Sequence, residues 1–186
     1  LYHLCILLGV TPTSWNRSTI FPLPKRDETT IDTFRPISLT LMLRRSFEKL
    51  LLKYLGHSPA FWLHPTQDGF RRGFSTLTHA LVAHESAIMG YKYRIFFDFA
   101  RAYDTVPVPL LLQKLKERNA SPQILSLVDA LFLGTSSTIV VNGQQTQAVP
   151  LERGLFQGLL LSPLLFSVFI DDLANLMDED TEVPSK

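Results

Sequence analysis

A chain of 186 residues, 46% hydrophobic and 19% charged, with nine glycines and twelve prolines, can bury a core, which excludes a disordered, collagen-like or low-complexity polypeptide. Its single cysteine, Cys5, excludes an internal disulfide framework and a multi-cysteine zinc site, and fits a reducing, intracellular compartment. The net charge of +1 hides an asymmetry, because residues 1–95 carry 12 Lys and Arg against 6 Asp and Glu, whereas residues 96–186 carry 6 against 11.

The first apolar stretch, residues 1–10, is shorter than the roughly 20 residues of a membrane-spanning helix, as is residues 158–170, so no span is predicted. The prolines of 18–25 extend that segment, Lys25-Arg26-Asp27-Glu28 forms a turn, and a second extended piece ends at Phe34-Arg35-Pro36; together these predict a small strand pair. Over 38–55, Met42, Leu43, Phe47, Leu50, Leu51, Tyr54 and Leu55 recur at helical spacing, with Arg44, Arg45, Glu48, Lys49 and Lys53 assigned to the outer face. Ser75 is the N-cap of a second helix that Gly90 closes.

Residues 94–99 form an aromatic and β-branched run too apolar for an exposed strand, which predicts a central one with Asp98 at its end. Pro109 and Pro122 open helices over 109–118 and 122–133. Asn142-Gly143 joins 136–141 to 144–149 as a hairpin, and Ser162-Pro163 opens a long apolar helix to about residue 177. Alternating strands and helices without an internal repeat indicate α+β or α/β. The start at Leu1 and the stop shortly after Asp178, Glu179 and Asp180 read as a piece of a longer protein.

Several residues carry chemistry. An aspartate ending a buried strand is costly unless paired or bound to a metal, so Asp98 is a metal-ligand candidate, with a helix cap or structural ion pair as the alternative. The basic first half and acidic second half suit a chain that grips phosphates and holds cations, although unevenly solvated surfaces give the same count. Gln157, flanked by Gly154 and Gly158, stands where backbone approaches a ligand closely and an amide meets a flat partner such as a base.

Together these segments carry a resemblance. FFDFARAYDTVP (96–107) resembles the first palm motif of reverse transcriptases, and RGLFQGLLLSPLLFSVFIDDL (153–173) resembles their second, particularly in non-LTR (LINE-type) retrotransposons. LPKRDE, FRPISLT and FEKLLLKYL upstream resemble the finger motifs, and TQDGFRRGFST the next finger segment. The resemblance implies an α+β right-hand polymerase, with fingers over 1–95 and an incomplete first part of the palm over 96–186. It implies RNA-directed DNA polymerisation, with Asp98 as one catalytic ligand to two Mg²⁺ ions and Tyr103 beneath the sugar of the incoming dNTP. It further implies that Gln157 and Gly158 contact nucleotide and template base, that Lys25 and Arg35 hold the triphosphate, and that Arg71 and Arg72 touch the backbone of an RNA template or DNA primer. Asp104 is given a structural role.

Two departures stand out: Leu159 and Leu160 follow Gln157-Gly158 where an acidic residue is usual, and Phe156 precedes them where a basic or small residue is common. The family's aromatic-x-Asp-Asp motif, with the remaining palm and the thumb, is expected downstream of residue 186. Asp171-Asp172 imitates that pair from inside a helix and is assigned to packing. A non-catalytic nucleic-acid-binding remnant is the competing reading. A hydrolase or phosphotransferase using Asp98 as nucleophile lacks a phosphate loop or a Ser/His partner motif.

Overall fold

The computed structural model describes residues 1–24, 34–93 and 95–179. Helix α1 (Tyr2–Leu8) brings Tyr2 against Trp15 and Phe47, at ring separations of 6.1 and 5.6 Å, and Trp15 lies 5.3 Å from Phe47. Strands β1 (Arg17–Pro24) and β2 (Phe34–Leu39) form the expected antiparallel pair, from Thr19 opposite Leu39 to Pro24 opposite Phe34. The turn between them, with Lys25, lies outside the described residues.

Helix α2 (Met42–Leu55) forms where periodicity predicts it, but its faces are not those expected. Arg44 and Glu48 share the buried stripe with Phe47, Leu51 and Leu55, while Met42, Leu43, Leu50 and Tyr54 are exposed. The two charges are tolerated inside because they pair one turn apart, at 2.9 Å, and neutralise each other. Apolar spacing alone therefore misassigns this helix by a fraction of a turn.

Helix α3 (Thr76–Ile88) begins after Ser75 as predicted, although the serine side chain makes no capping hydrogen bond, and none of its residues is buried. The central strand expected over 94–99 is absent: residues 95–99 join no ladder, and Ile95, Phe96 and Phe97 are 78%, 85% and 70% exposed. Aromatic and β-branched residues supply strand propensity, but a strand exists only through its neighbours, and no described strand runs beside this one. Asp98 is accordingly exposed, not at the end of a buried strand.

Helices α4 (Val108–Glu117) and α5 (Pro122–Phe132) carry prolines in their first turns, and Ser121 Oγ accepts the amide of Ile124 to cap the second. Strand β3 (Ser136–Val141) turns through Asn142 and Gly143, with φ of 52° and 77°, into β4 (Gln144–Gln145). The expected second arm then breaks, because the Thr146 hydroxyl accepts the Ile139 amide and interrupts the ladder before β5 (Val149–Pro150) rejoins β3.

The sheet runs in the order β2-β1-β3-β4, with β5 also on β3. Its centre is a parallel pair, Arg17 opposite Ser136 through Ile20 opposite Ile139, tied by the Ser18 and Ser137 hydroxyls 2.5 Å apart. The single long helix expected to residue 177 is two, α6 (Leu161–Ile170) and α7 (Asp172–Glu179), which meet at Asp171, whose carboxylate is drawn into contacts with other segments. Leu51, Leu111, Leu115, Leu127, Leu131, Leu161 and Leu165 from four of these helices form the buried centre. Among the described residues no helix is long and apolar enough to cross a membrane.

Candidate functional site

Two loops that are 50 residues apart in sequence are zipped together beside the open edge of β2. The Leu155 amide donates to the Tyr103 carbonyl and the Gly154 amide to that of Val106, both at 2.8 Å. Gly154 permits this approach: its φ is 105°, and an ideal Cβ there would stand 3.0 Å from the Asp104 carbonyl oxygen. Gly154→Ala is therefore expected to destabilise the chain by about 1–3 kcal/mol, measured as a shift in urea midpoint. An unchanged midpoint would mean that this junction relaxes freely.

Beyond that junction, Gln157 Nε2 donates to both oxygens of Asp104, at 3.1 and 3.3 Å, in keeping with the structural role expected for the aspartate. The Gln157 carbonyl accepts the Ser38 amide at 2.8 Å, which docks the loop on β2. Gly158 lies against Ile37 and Ser38, where a Cβ would stand 3.4 Å from Ile37 Cγ2. Arg35 is exposed on the same strand, three positions before Ser38.

Tyr103 packs against Phe166, with centroids 5.3 Å apart, and burial pushes its hydroxyl above the ordinary tyrosine value. It remains half-buried, so the ring is both a packing contact and partly accessible. Phe99 meets the edge of the same Phe166 ring at 6.0 Å, which ties the residue after Asp98 to α6.

The structure gathers Tyr103, Gln157, Gly158 and the strand bearing Arg35, whereas Lys25 lies outside the described residues and Arg71 and Arg72 stand on another loop. Arg71 and Arg72 border a groove of about 680 Å³ with Trp62, Phe70, Pro163 and Leu164. Arg71 is partly committed to its own loop: Nη1 donates to the Gln67 carbonyl at 3.1 Å, and the guanidinium carbon lies 4.8 Å from the Phe74 ring centroid. Arg72 is exposed.

The Asp171-Asp172 pair is engaged in packing. Asp171 accepts the His64 amide at 2.8 Å, Gln67 Nε2 at 2.7 Å and Arg118 Nη1 at 2.8 Å, and Asp172 pairs with Lys114 at 2.8 Å. Arg118 also donates to the Ala60 and Trp62 carbonyls. Asp171 thus secures the loop that bears Arg71 and Arg72 to α6. Sequence reasoning missed Arg118, and it missed Arg44 and Glu48 as interior residues. The available signal for the last two was their spacing, since Arg44 lies seven residues ahead of Leu51 and Glu48 seven ahead of Leu55, on one helical stripe.

Among the described residues no three of His, Cys, Asp and Glu converge on a point that would hold a metal ion. Asp98 offers one exposed carboxylate, and Asp104 is occupied by Gln157. These residues do not make a divalent-metal site by themselves.

The chain thus brings together a glycine-flanked glutamine loop docked on a sheet edge and an aromatic-aspartate turn zipped to it, with a separate arginine-aromatic groove. Residues 23–184 match the family described as reverse transcriptase (RNA-dependent DNA polymerase), and the chain belongs to that family. It is 29% identical, over 92% of its length, to the Retrovirus-related Pol polyprotein from type-1 retrotransposable element R2 of Popillia japonica. It is also 29% identical over 93% to the RNA-directed DNA polymerase from mobile element jockey, and 28% over 93% to the probable RNA-directed DNA polymerase from transposon BS, both of Drosophila melanogaster. The chain spans 25%, 20% and 20% of the length of these three relatives.

Proposed function

We propose that the chain is the fingers, over 1–95, and the first part of the palm, over 96–186, of an RNA-directed DNA polymerase from a non-LTR retrotransposon, working inside the cell. Its reaction is the addition of a dNTP to a DNA primer 3′ end on an RNA template, completed by the remaining palm and the thumb. The observation that carries this reading is the Gln157–Asp104 hydrogen bond beside the Leu155–Tyr103 contact, which unites the two palm-like motifs on the edge of β2. Tyr103 lies under the sugar of the incoming nucleotide, Gln157 and Gly158 meet the nucleotide and template base, and Lys25 and Arg35 hold the triphosphate. Asp98 would hold two Mg²⁺ ions together with carboxylates from the remaining palm, and the ions would supply positive charge to the transferring phosphoryl group.

Primer extension tests the reading. A polymerase that contains this chain together with the remaining palm and thumb is expected to extend a primer with dNTPs and to lose extension on Asp98→Ala. The 186-residue chain alone is expected to equal its own Asp98→Ala control. Extension by the chain alone that survives Asp98→Ala and is abolished by Asp172→Ala, a change expected to leave the fold intact, would overturn the assignment of both aspartate sites. Absence of extension by the completed polymerase favours the non-catalytic nucleic-acid-binding remnant.

Arg71 and Arg72 contact the template or primer backbone, and phosphate contacts of this type give affinity without sequence information. Binding to RNA or to an RNA–DNA duplex is expected to fall steeply with salt through counterion release, and Arg72→Ala to reduce the slope of log K against log salt by about 1. Arg71→Ala should act similarly and also loosen its loop, because its guanidinium holds the Gln67 carbonyl. A slope unchanged in Arg72→Ala removes that residue from the interface.

A further inference from the structure

The loop bearing Gln157 and Gly158 is held from beneath by two charges that solvent does not reach. Arg44 and Glu48 have side chains of 0% exposure, one turn apart on α2, with Nε donating to Oε1 at 2.9 Å. Arg44 Nη1 donates to the Trp15 carbonyl at 2.5 Å, and its guanidinium carbon lies 5.1 Å from the ring centroid of Phe156 and 5.3 Å from that of Phe132. Phe156 is the residue immediately before Gln157. The other oxygen of Glu48 accepts the amides of Leu160 and Leu161, at 3.0 and 3.4 Å, just past Gly158 where α6 begins. One partner therefore grips the loop at its entrance and the other at its exit.

Stability is a poor account of this arrangement. Removing two ions from water costs several kcal/mol each, and a hydrocarbon pair of similar volume often serves a core as well or better. Arg44 Nη2 adds to that cost, being buried without a hydrogen-bond partner among the described residues. What a hydrocarbon pair lacks is direction. Glu48 satisfies two amides of the first turn of α6 that the helix leaves without internal partners, and it does so only with the helix start in one place.

We propose that Arg44 and Glu48 are positioning residues that set where the Gln157–Gly158 loop stands over Asp104 and the edge of β2. The assignment rests on the reading of that loop as the nucleotide contact. Neither residue touches the nucleotide, and each acts through the loop: Arg44 by way of Phe156 and Glu48 by way of the two leucine amides. In Glu48→Gln one amide oxygen must serve either Arg44 or the leucine amides, and the NH₂ group turns a donor toward whichever remains. Arg44→Met with Glu48→Leu keeps the volume and discards the direction.

Hydrogen exchange on the 186-residue chain, followed by mass spectrometry, decides the matter. The rate for residues 155–163 is divided by that for α5 in the same molecule, which cancels any general loss of stability. In Glu48→Gln and in the double variant this ratio is expected to rise at least tenfold over the parent. A ratio unchanged in both, whether because neither segment accelerates or because both accelerate together, overturns the proposal. A second measurement isolates the underlying reading: in a polymerase that contains this chain together with the remaining palm and thumb, residues 155–163 are expected to exchange more slowly when primer, template and dNTP are added. If they do not, the nucleotide contact falls, while the ratio alone still upholds or overturns the positioning role.

Discussion

Asp171→Ala is expected to destabilise the chain by about 3–5 kcal/mol, whereas Asp172→Ala costs about 0–1 kcal/mol, both measured by urea unfolding. The neighbours differ in environment, not in chemistry. The Asp171 side chain is 6% exposed, and its removal leaves the Arg118 guanidinium without its carboxylate and the His64 amide and Gln67 side chain without an acceptor. The Asp172 side chain is 59% exposed and meets Lys114 in water, which screens the pair and supplies hydrogen bonds when it is broken. Equal effects would show that sequence position, and not burial, governs this pair. A large loss in Asp171→Ala should also be accompanied by freer proteolysis of residues 64–74, because that loop reaches α6 through the same carboxylate.

Tyr103→Val, in a polymerase that contains this chain, is expected to raise the ratio of ribonucleotide to deoxyribonucleotide incorporation on the order of 10- to 200-fold, the range that one small steric change in a pocket delivers. Removal of the ring opens space for a 2′-hydroxyl and leaves Asp98, five residues earlier, untouched. The ring also packs on Phe166, so the variant will lose some stability, and Tyr103→Phe is the control. It keeps the packing and the bulk, and should keep the parental selectivity. If valine and tyrosine give the same ratio, Tyr103 is a packing residue alone.

Much of the chain was legible from sequence because local rules and tertiary structure agreed. Pro109 and Pro122 mark helix starts by their fixed φ, and Asn142-Gly143 turns at positive φ, whatever surrounds them. Asp104, Gln157 and Gly158 were also legible, since motif spacing put them in two loops, though their hydrogen bond was not. The failures lie where burial is decided at a distance. Met42 and Leu43 read as interior by type and are exposed, while Arg44 and Glu48 read as surface and are buried, because Phe132, Phe156 and the start of α6 come from far along the chain. Residues 95–99 have every local attribute of a strand, and only the ladder is lacking.

The parallel pairing of β1 with β3 also governs how the chain is made. Ser18 meets Ser137 across 119 steps of sequence, so the centre of the sheet cannot close until the chain through Ser137 has left the ribosome. At synthesis rates of about 5–20 residues per second, β1 waits roughly 6–24 s for its partner. During that interval its apolar residues Ile20, Phe21 and Leu23 and the aromatic run that follows α3 are in water together. High contact order of this kind slows closure further and prolongs the exposure of these residues to other chains.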